Sequence, residues 1–270
     1  MTLRETLCDL APPLLQRAAR RLRGGLRFEG DYSDWAAAQR ASGGYDAGEI
    51  VRRVLEAERQ VKDGKAADAR DGVLFDQVQF SLPVMAALAR AALARGDGLR
   101  VLDLGGAFGG LYRQFRAFGL RTRVEWTVVE QLAYVELGAK HFQTGELRFS
   151  ASLEDALAGA PADVLLLSSV LQYFPEPHAL IWRFASWGPA QVVIDRTPCS
   201  ALARDVLAVQ QVPAEIYRAS YPCWIFSRER LLEAFRPRYA ALASFVDGSG
   251  AWRAGAASFE LAGFLLDRQA

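Results

Sequence analysis

From residue 99 onward, apolar runs and polar, turn-forming stretches alternate at a spacing that predicts strands separated by helices. A first strand ends at Leu104 and a second leads to Glu130. A helix over 133–142 and a short strand over 147–149 follow, and Ser152-Leu153-Glu154-Asp155 opens the next helix. The run 163–168 is nearly all apolar, as befits a central parallel strand covered on both faces. After Pro175-Glu176-Pro177 a helix runs through Trp187, and a fifth strand over 191–195 stops at Arg196-Thr197-Pro198. A helix over 226–235, capped by Ser227, precedes two strands over 240–246 and 259–266 that read as a hairpin.

The first part of the chain reads differently. Residues 1–27 carry apolar positions at helical spacing, broken by Pro12 and Pro13, with Arg17, Arg20, Arg21 and Arg23 on what reads as a solvated face. Four aromatics lie among small residues over 28–46, where Ser33 or Asp34 would cap a helix begun by Trp35 and Ser42-Gly43-Gly44 would end it. Helical patterns over 50–61 and 75–94 lead to Gly96-Asp97-Gly98. The chain therefore divides into an N-terminal helical extension or lid, 1–97, and an α/β domain, 98–270.

Composition narrows the partners. With 51% hydrophobic residues in 270, a large core is available. Basic and acidic residues number 32 and 31, so no net field draws nucleic acid, and none is expected as a partner. Cys8, Cys199 and Cys223 are far apart and fit a reducing compartment; with His141 and His178 the only histidines, no metal-ligand spacing exists. The hydrophobic stretches near the N-terminus are cut by Arg4, Glu5, Asp9 and Arg17, so neither a signal peptide nor a membrane span is expected, nor membrane contact, and cytoplasmic residence is the default. The oligomeric state is left open.

The chemistry concentrates between Leu99 and Glu130. Gly105, Gly106, Gly109 and Gly110 follow the first strand, and glycine there lets the backbone turn sharply and a ligand approach closely. Glu130 ends the second strand, where a carboxylate can accept both hydroxyls of a ribose. A dinucleotide fingerprint would place glycine at Ala107, which weakens a nicotinamide or flavin reading. Asp103, two residues before the first glycine, resembles the first motif of class I S-adenosylmethionine (SAM) methyltransferases. A tight strand-to-helix turn with no ligand is the plain alternative.

The stretches FEGDYSDW, SGGYD, ARDGVLFD, LDLGGAFGG, WTVVEQ, IDRTP and QQVPAEIYRASYPCWIFS together resemble a bacterial family of class I SAM-dependent methyltransferases, uncharacterised as a group and often linked with surface-polysaccharide loci. The resemblance covers residues 28–264. It implies a Rossmann-like fold whose sheet has seven mostly parallel strands with the last antiparallel, SAM as cofactor, and a small-molecule acceptor, with O-methylation of a sugar or nucleotide-sugar as the reaction. It places Asp103, Gly105, Gly106 and Gly109 around the methionine portion, Glu130 at the ribose and Gln131, Ser152 and Leu153 near the adenine. Ser168, Ser169 and Gln172 would line the methyl-transfer side, although each small polar residue equally suits a helix cap.

Asp195, Tyr221 and Arg196 are the catalytic candidates: the first two as general bases, and Arg196 as a partner of Asp195 or a fork for an acceptor phosphate or carboxylate. Asp195, Arg196, Tyr221 and Trp224 are expected to converge with Tyr32 or Tyr45 at the open side of the crevice. His178 reads as a surface residue. A SAM-fold protein that binds without catalysis and a nicotinamide oxidoreductase stay open beside the methyltransferase.

Overall fold

A computed structural model describes residues 25–269 apart from 46, 97, 158–160, 215 and the side chain of Tyr45. The expected basic N-terminal helix, Cys8, the Asp97 turn residue and the Tyr45 ring therefore lie outside the described residues.

The elements run β1 (Arg27–Glu29), α1 (Trp35–Ala41), β2 (Gly44–Tyr45), α2 (Ala47–Lys62), β3 (Asp68–Arg70), β4 (Val73–Phe75), α3 (Leu82–Arg95), β5 (Leu99–Leu104), α4 (Gly110–Ala117), β6 (Val124–Val129), α5 (Leu132–His141), β7 (Leu147–Ser150), α6 (Leu153–Leu157), β8 (Val164–Ser168), a 3-10 turn (Leu171–Tyr173), α7 (Pro177–Trp187), β9 (Gln191–Ser200), β10 (Val206–Val212), β11 (Ala219–Ser227), α8 (Arg228–Glu233), β12 (Tyr239–Val246), β13 (Trp252–Ala254) and β14 (Ala257–Arg268). Strands β7, β6, β5, β8 and β9 lie side by side in that order and are parallel. Beyond β9 come β14, antiparallel to it, and then β12, antiparallel to β14. This is the expected Rossmann-like α/β sheet of seven mostly parallel strands with the last one antiparallel.

Strand periodicity sends successive side chains to opposite faces and so divides the core into two layers. Val101, Trp126, Val128, Leu166 and Val193 pack with α2, α3 and α4. Leu102, Leu165, Leu167 and Ile194 pack with α7 and α8 on the other face. Because both faces are covered, Val164–Leu167 is buried throughout, which is why β8 reads as an unbroken apolar run.

Two regions depart from the sequence pattern. β9 does not stop at Asp195: its pairing with β8 ends there, and the same edge is taken up by β11 at Cys199 and Ser200. β11 carries β10, β10 carries β1, and β2 pairs with β11, so strands from the first part of the chain join the main sheet. The segment 28–97 holds the expected helices but also β1, β2 and the hairpin β3–β4. Phe75 belongs to that hairpin, whose Asp71-Gly72 turn closes between the paired Arg70 and Val73, so α3 begins only after Ser81 with Pro83 in its first turn. Asp34 caps α1 by accepting from the Ala37 N–H, and Ser227 caps α8, both as expected. No helix among the described residues is long and apolar enough to cross a membrane.

Candidate functional site

The chain leaves β5 outward to β6 and β7, then returns to β8 on the other side of β5. That reversal opens a crevice at the carboxyl ends of β5 and β8, where open α/β sheets bind ligands. Backbone strain collects around it. The non-glycine residues with left-handed backbone among those described are Ala107 in the loop after β5, Ser169 after β8, Arg196 in β9 and Asp71 at the hairpin turn, with φ of 47°, 53°, 47° and 52°. Such conformations cost energy and persist where the surroundings hold them, typically at sites of function.

The glycine loop closes tightly over Asp103. A Cβ on Gly106 would stand 2.4 Å from Asp103 Oδ2, and one on Gly105, at φ +71°, would stand 2.5 Å from Val170 Cγ2. Only glycine fits either place. Gly109 is the left-handed N-cap of α4, and its α-carbon faces Leu147. Asp103 itself is buried; Oδ2 accepts from the Trp126 indole at 3.1 Å, while Oδ1 has no partner among the described atoms. Burial pushes its carboxyl up to about 7, the nearby Glu130 charge adds to this, and the Trp126 bond and the Arg196 charge act against it.

Glu130 stands across the loop. Burial raises its pKa, opposed by the Gln131 N–H, which donates to Oε2 at 2.8 Å, and by the Ala107 N–H. Gln131 is the N-cap residue of α5 without a side-chain cap bond. Ser152 does cap: its Oγ accepts from the Asp155 N–H at 3.1 Å, and Leu153, the first residue of α6, packs against the second core layer. Ser152 thus has a helix-capping task of its own.

At the far end of β8 and β9 the site is built on a β-bulge. Ile194 and Thr197 pair with Phe264 and Ala262, so Asp195 and Arg196 together oppose Gly263 alone. Consecutive strand residues ordinarily point to opposite faces; here both reach one hydroxyl. Ser168 Oγ donates to Asp195 Oδ2 at 2.8 Å and accepts from Arg196 Nη2 at 3.0 Å, and Arg196 Nε lies 3.4 Å from Asp195 Oδ2. Ser169 donates its N–H to Asp195 O, and its hydroxyl accepts from buried Gln172, whose Oε1 is unpartnered among the described atoms.

The bulge is tied to the first part of the chain by residues that sequence reasoning missed. Ser81 Oγ donates to Asp195 Oδ1 at 3.4 Å, Ser81 N–H donates to Gln114 Oε1, and Gln114 Nε2 donates to buried Asp68. No motif marks these residues. Their buried polar character emerges only when α3, α4 and the hairpin meet.

Tyr221 belongs to a buried phenol cluster. Its ring meets Tyr173 edge-on at 5.3 Å, its hydroxyl bonds Tyr217, and Gln210, directly across the strand pair, donates to it at 3.4 Å. Tyr173 OH donates to Gln210 Oε1 at 3.1 Å. Burial above all, then the neighbouring phenols, drives the Tyr221 pKa far above the ordinary tyrosine range. In this setting the protonated, hydrogen-bonding form of Tyr221 is the favoured one.

The expected convergence of Tyr221 with Trp224 and Tyr32 fails on strand geometry. Three residues apart, Tyr221 and Trp224 face opposite sides of β11. Trp224 stacks on Trp35 at 6.5 Å and packs with Tyr32, Leu207 and Ala38, away from the phenol cluster. His178 bonds Asp205 at 2.8 Å, and Asp205 also accepts the Ser227 N–H, which fixes the histidine in a structural contact. No group of His, Cys, Asp and Glu among the described residues could hold a metal ion.

No protein-family model matches the sequence, and no curated protein sequence does either. Among solved structures, the chain is similar to 1,6-didemethyltoxoflavin-N1-methyltransferase of Burkholderia thailandensis, solved with S-adenosylhomocysteine (SAH): 19% identity over 85% of this chain and 95% of that one, TM-score 0.46. It is similar to the N-terminal domain of EvdMO1 with SAH bound, at 17% identity over 84% and 98% of the two chains, TM-score 0.49. A third similar structure is magnesium protoporphyrin IX methyltransferase of Synechocystis PCC 6803 with bound SAM, at 13% identity over 100% and 98%, TM-score 0.45. At these identities and TM-scores the likeness assigns no residue a role.

Proposed function

We propose that the protein is a class I SAM-dependent methyltransferase acting on a hydroxyl of a small molecule, a sugar or nucleotide-linked sugar of the kind used in surface-polysaccharide synthesis. The observation that carries this reading is the buried Asp103 carboxylate, with an unpartnered oxygen, directly beneath a glycine loop faced by Glu130. Positive charge at the methionine end of a cofactor would favour the ionised form of both acids, whose pKa values burial above all has raised. A dinucleotide would set an anionic pyrophosphate against the same loop, so the pair argues against a nicotinamide cofactor.

In this reading Asp103, Gly105, Gly106 and Gly109 hold the methionine portion and Glu130 accepts the ribose hydroxyls, with Gln131 and Leu153 on the adenine side. SAM, when bound, supplies an electrophilic methyl group on a sulfonium. The chain's task is then mainly to position an acceptor oxygen in line with that group and to exclude water. Ser168 and Ser169 face the acceptor, Asp195 anchors Arg196 through the bulge, and the protonated Tyr221 holds an acceptor oxygen by a hydrogen bond. The helices and hairpin of residues 28–97 cover the acceptor side.

Calorimetry with SAM, SAH and NAD tests the cofactor: binding of the first two and not the third is expected. Release of SAH with hydroxylated acceptors separates a catalyst from a protein that only binds, and NAD binding in preference to SAH would overturn the reading.

A further inference from the structure

The stretch YAALASFV, residues 239–246, forms β12, whose strand partner among the described residues is β14 alone. Its other side is therefore an edge of the main sheet. Unpaired N–H and C=O groups on such an edge invite another strand, and charged side chains or proline usually guard against it. β12 holds neither. Residues 240–244 are all exposed, and Leu242 and Val246 keep 55% and 49% of their surface open.

Which backbone groups are free follows from the ladder. In an antiparallel pair, residues alternate between exchanging hydrogen bonds with the partner and turning their backbone groups away. At the end of β12 the Asp247 N–H donates to Leu261 O, so Phe245 and Ala243 also turn towards β14, while Ser244 and Val246 turn away. At its start the Gln269 N–H donates to Arg238 O, so Ala240 turns towards β14, while Tyr239 and Ala241 turn away. The alternation changes phase at the bulge between Ala241 and Ala243, where Leu242 is the extra residue. Of the outward groups, only the Tyr239 N–H has a partner among the described residues, Phe235 O.

A second copy of β12, running antiparallel about a two-fold axis, matches all four outward residues in one register: Tyr239 opposite Val246 and Ala241 opposite Ser244. The two bulges then meet at the axis, and since both strands carry the same extra residue, their lengths stay matched. A strand without the bulge would fall out of phase halfway along. The same register sets Arg238 opposite Asp247 at each end of a ribbon with no other charge. Both are exposed. Asp247 Oδ1 accepts from the Ser249 N–H and hydroxyl, and Oδ2 has no partner among the described residues.

We propose that two copies of the chain join edge to edge through β12 into one continuous sheet. Ala241 and Ser244 exchange both backbone bonds on either side of the axis, and Val246 donates to Tyr239 O. β14, β9 and β8 separate this edge from β5, so the inference goes beyond the methyltransferase reading and stands apart from it.

Sedimentation velocity and light scattering over about 1 to 100 μM test it, with the parent expected to approach twice the mass of one chain at the upper end. Ser244→Pro removes an outward N–H and spares the ladder to β14, so its melting temperature should stay near the parent's while the dimer weakens tenfold or more. Asp247→Arg sets like charges opposite each other at both ends and should weaken the dimer to a similar degree. Adding Arg238→Asp should recover most of that loss. Amide exchange at Ala241, Ser244 and Val246 should slow as the parent associates. A parent that stays monomeric throughout overturns the inference, and so does a dimer that either Ser244→Pro or Asp247→Arg leaves at parental strength. Should Ser244→Pro fail to fold, the charge exchange decides alone: recovery in the double variant upholds the register, and none overturns it.

Discussion

The indole nitrogen of Trp126 donates to Asp103 Oδ2 at 3.1 Å between two side chains that are both sealed from solvent. It is the carboxylate's one side-chain hydrogen bond among the described residues, and it does not outweigh burial, which pushes the Asp103 carboxyl from 3.8 up to about 7. Between those two values the folded chain keeps a proton that the unfolded chain has released. The contribution is therefore full below about pH 4 and is lost as the pH rises through 7.

Urea unfolding of the parent and of Asp103→Asn at pH 5 and pH 8 reads this directly. Each tenfold difference in acidity between folded and unfolded chain is worth about 1.4 kcal/mol, so the variant should gain on the parent between the two pH values by an amount on that order or more. An equal gap at both pH values would show that Asp103 ionises normally.

Glu130→Ala should weaken SAM binding at least tenfold. Hydrogen bonds to a charged group contribute about 1.5–3 kcal/mol each, and the alanine removes both acceptors offered to a ribose. Calorimetry on the folded variant decides it: parental affinity would take Glu130 out of the site.

Tyr221→Phe removes a hydroxyl that burial keeps protonated. Losing one neutral hydrogen bond costs about 0.5–1.5 kcal/mol, so turnover should fall by roughly twofold to thirteenfold with the pH–rate profile unchanged in shape. Disappearance of an alkaline limb from the profile would instead make Tyr221 an ionising base.

Gly105→Ala should destabilise the fold by about 2–4 kcal/mol, combining a left-handed backbone with overpacking. The added methyl would stand 2.5 Å from Val170 Cγ2. Adding Val170→Ala should restore part of the loss in thermal melts, because it clears the collision but leaves the backbone conformation; no recovery would place the cost elsewhere.

What was legible in the sequence followed from local pattern. The unbroken apolar run of β8 and the glycines after Asp103 fix the parallel sheet and its crevice, since burial on both faces and close backbone approach each leave a residue-level mark. The Asp195-Arg196 bulge leaves none: it exists because Gly263, far along the chain, faces two residues at once. Ser81, Gln114 and Asp68 were equally silent, their roles arising from contacts between elements. The pairing of Tyr221 with Trp224 was expected from proximity in sequence and undone by the two-residue period of a strand.

The fork in β9 has a consequence for the order of assembly. β1 pairs with β10, Arg27 opposite Gln211, and β14 pairs with β9 from the other side. Contacts between residues so distant in sequence carry a large loop-closure entropy and slow the search for the native state. The parallel strands β5 to β8 can gather through short crossovers, whereas the wall proposed to face the acceptor waits for both ends of the described chain. On these grounds the half proposed to hold the cofactor is expected to form first, and the half proposed to face the acceptor to be completed upon it.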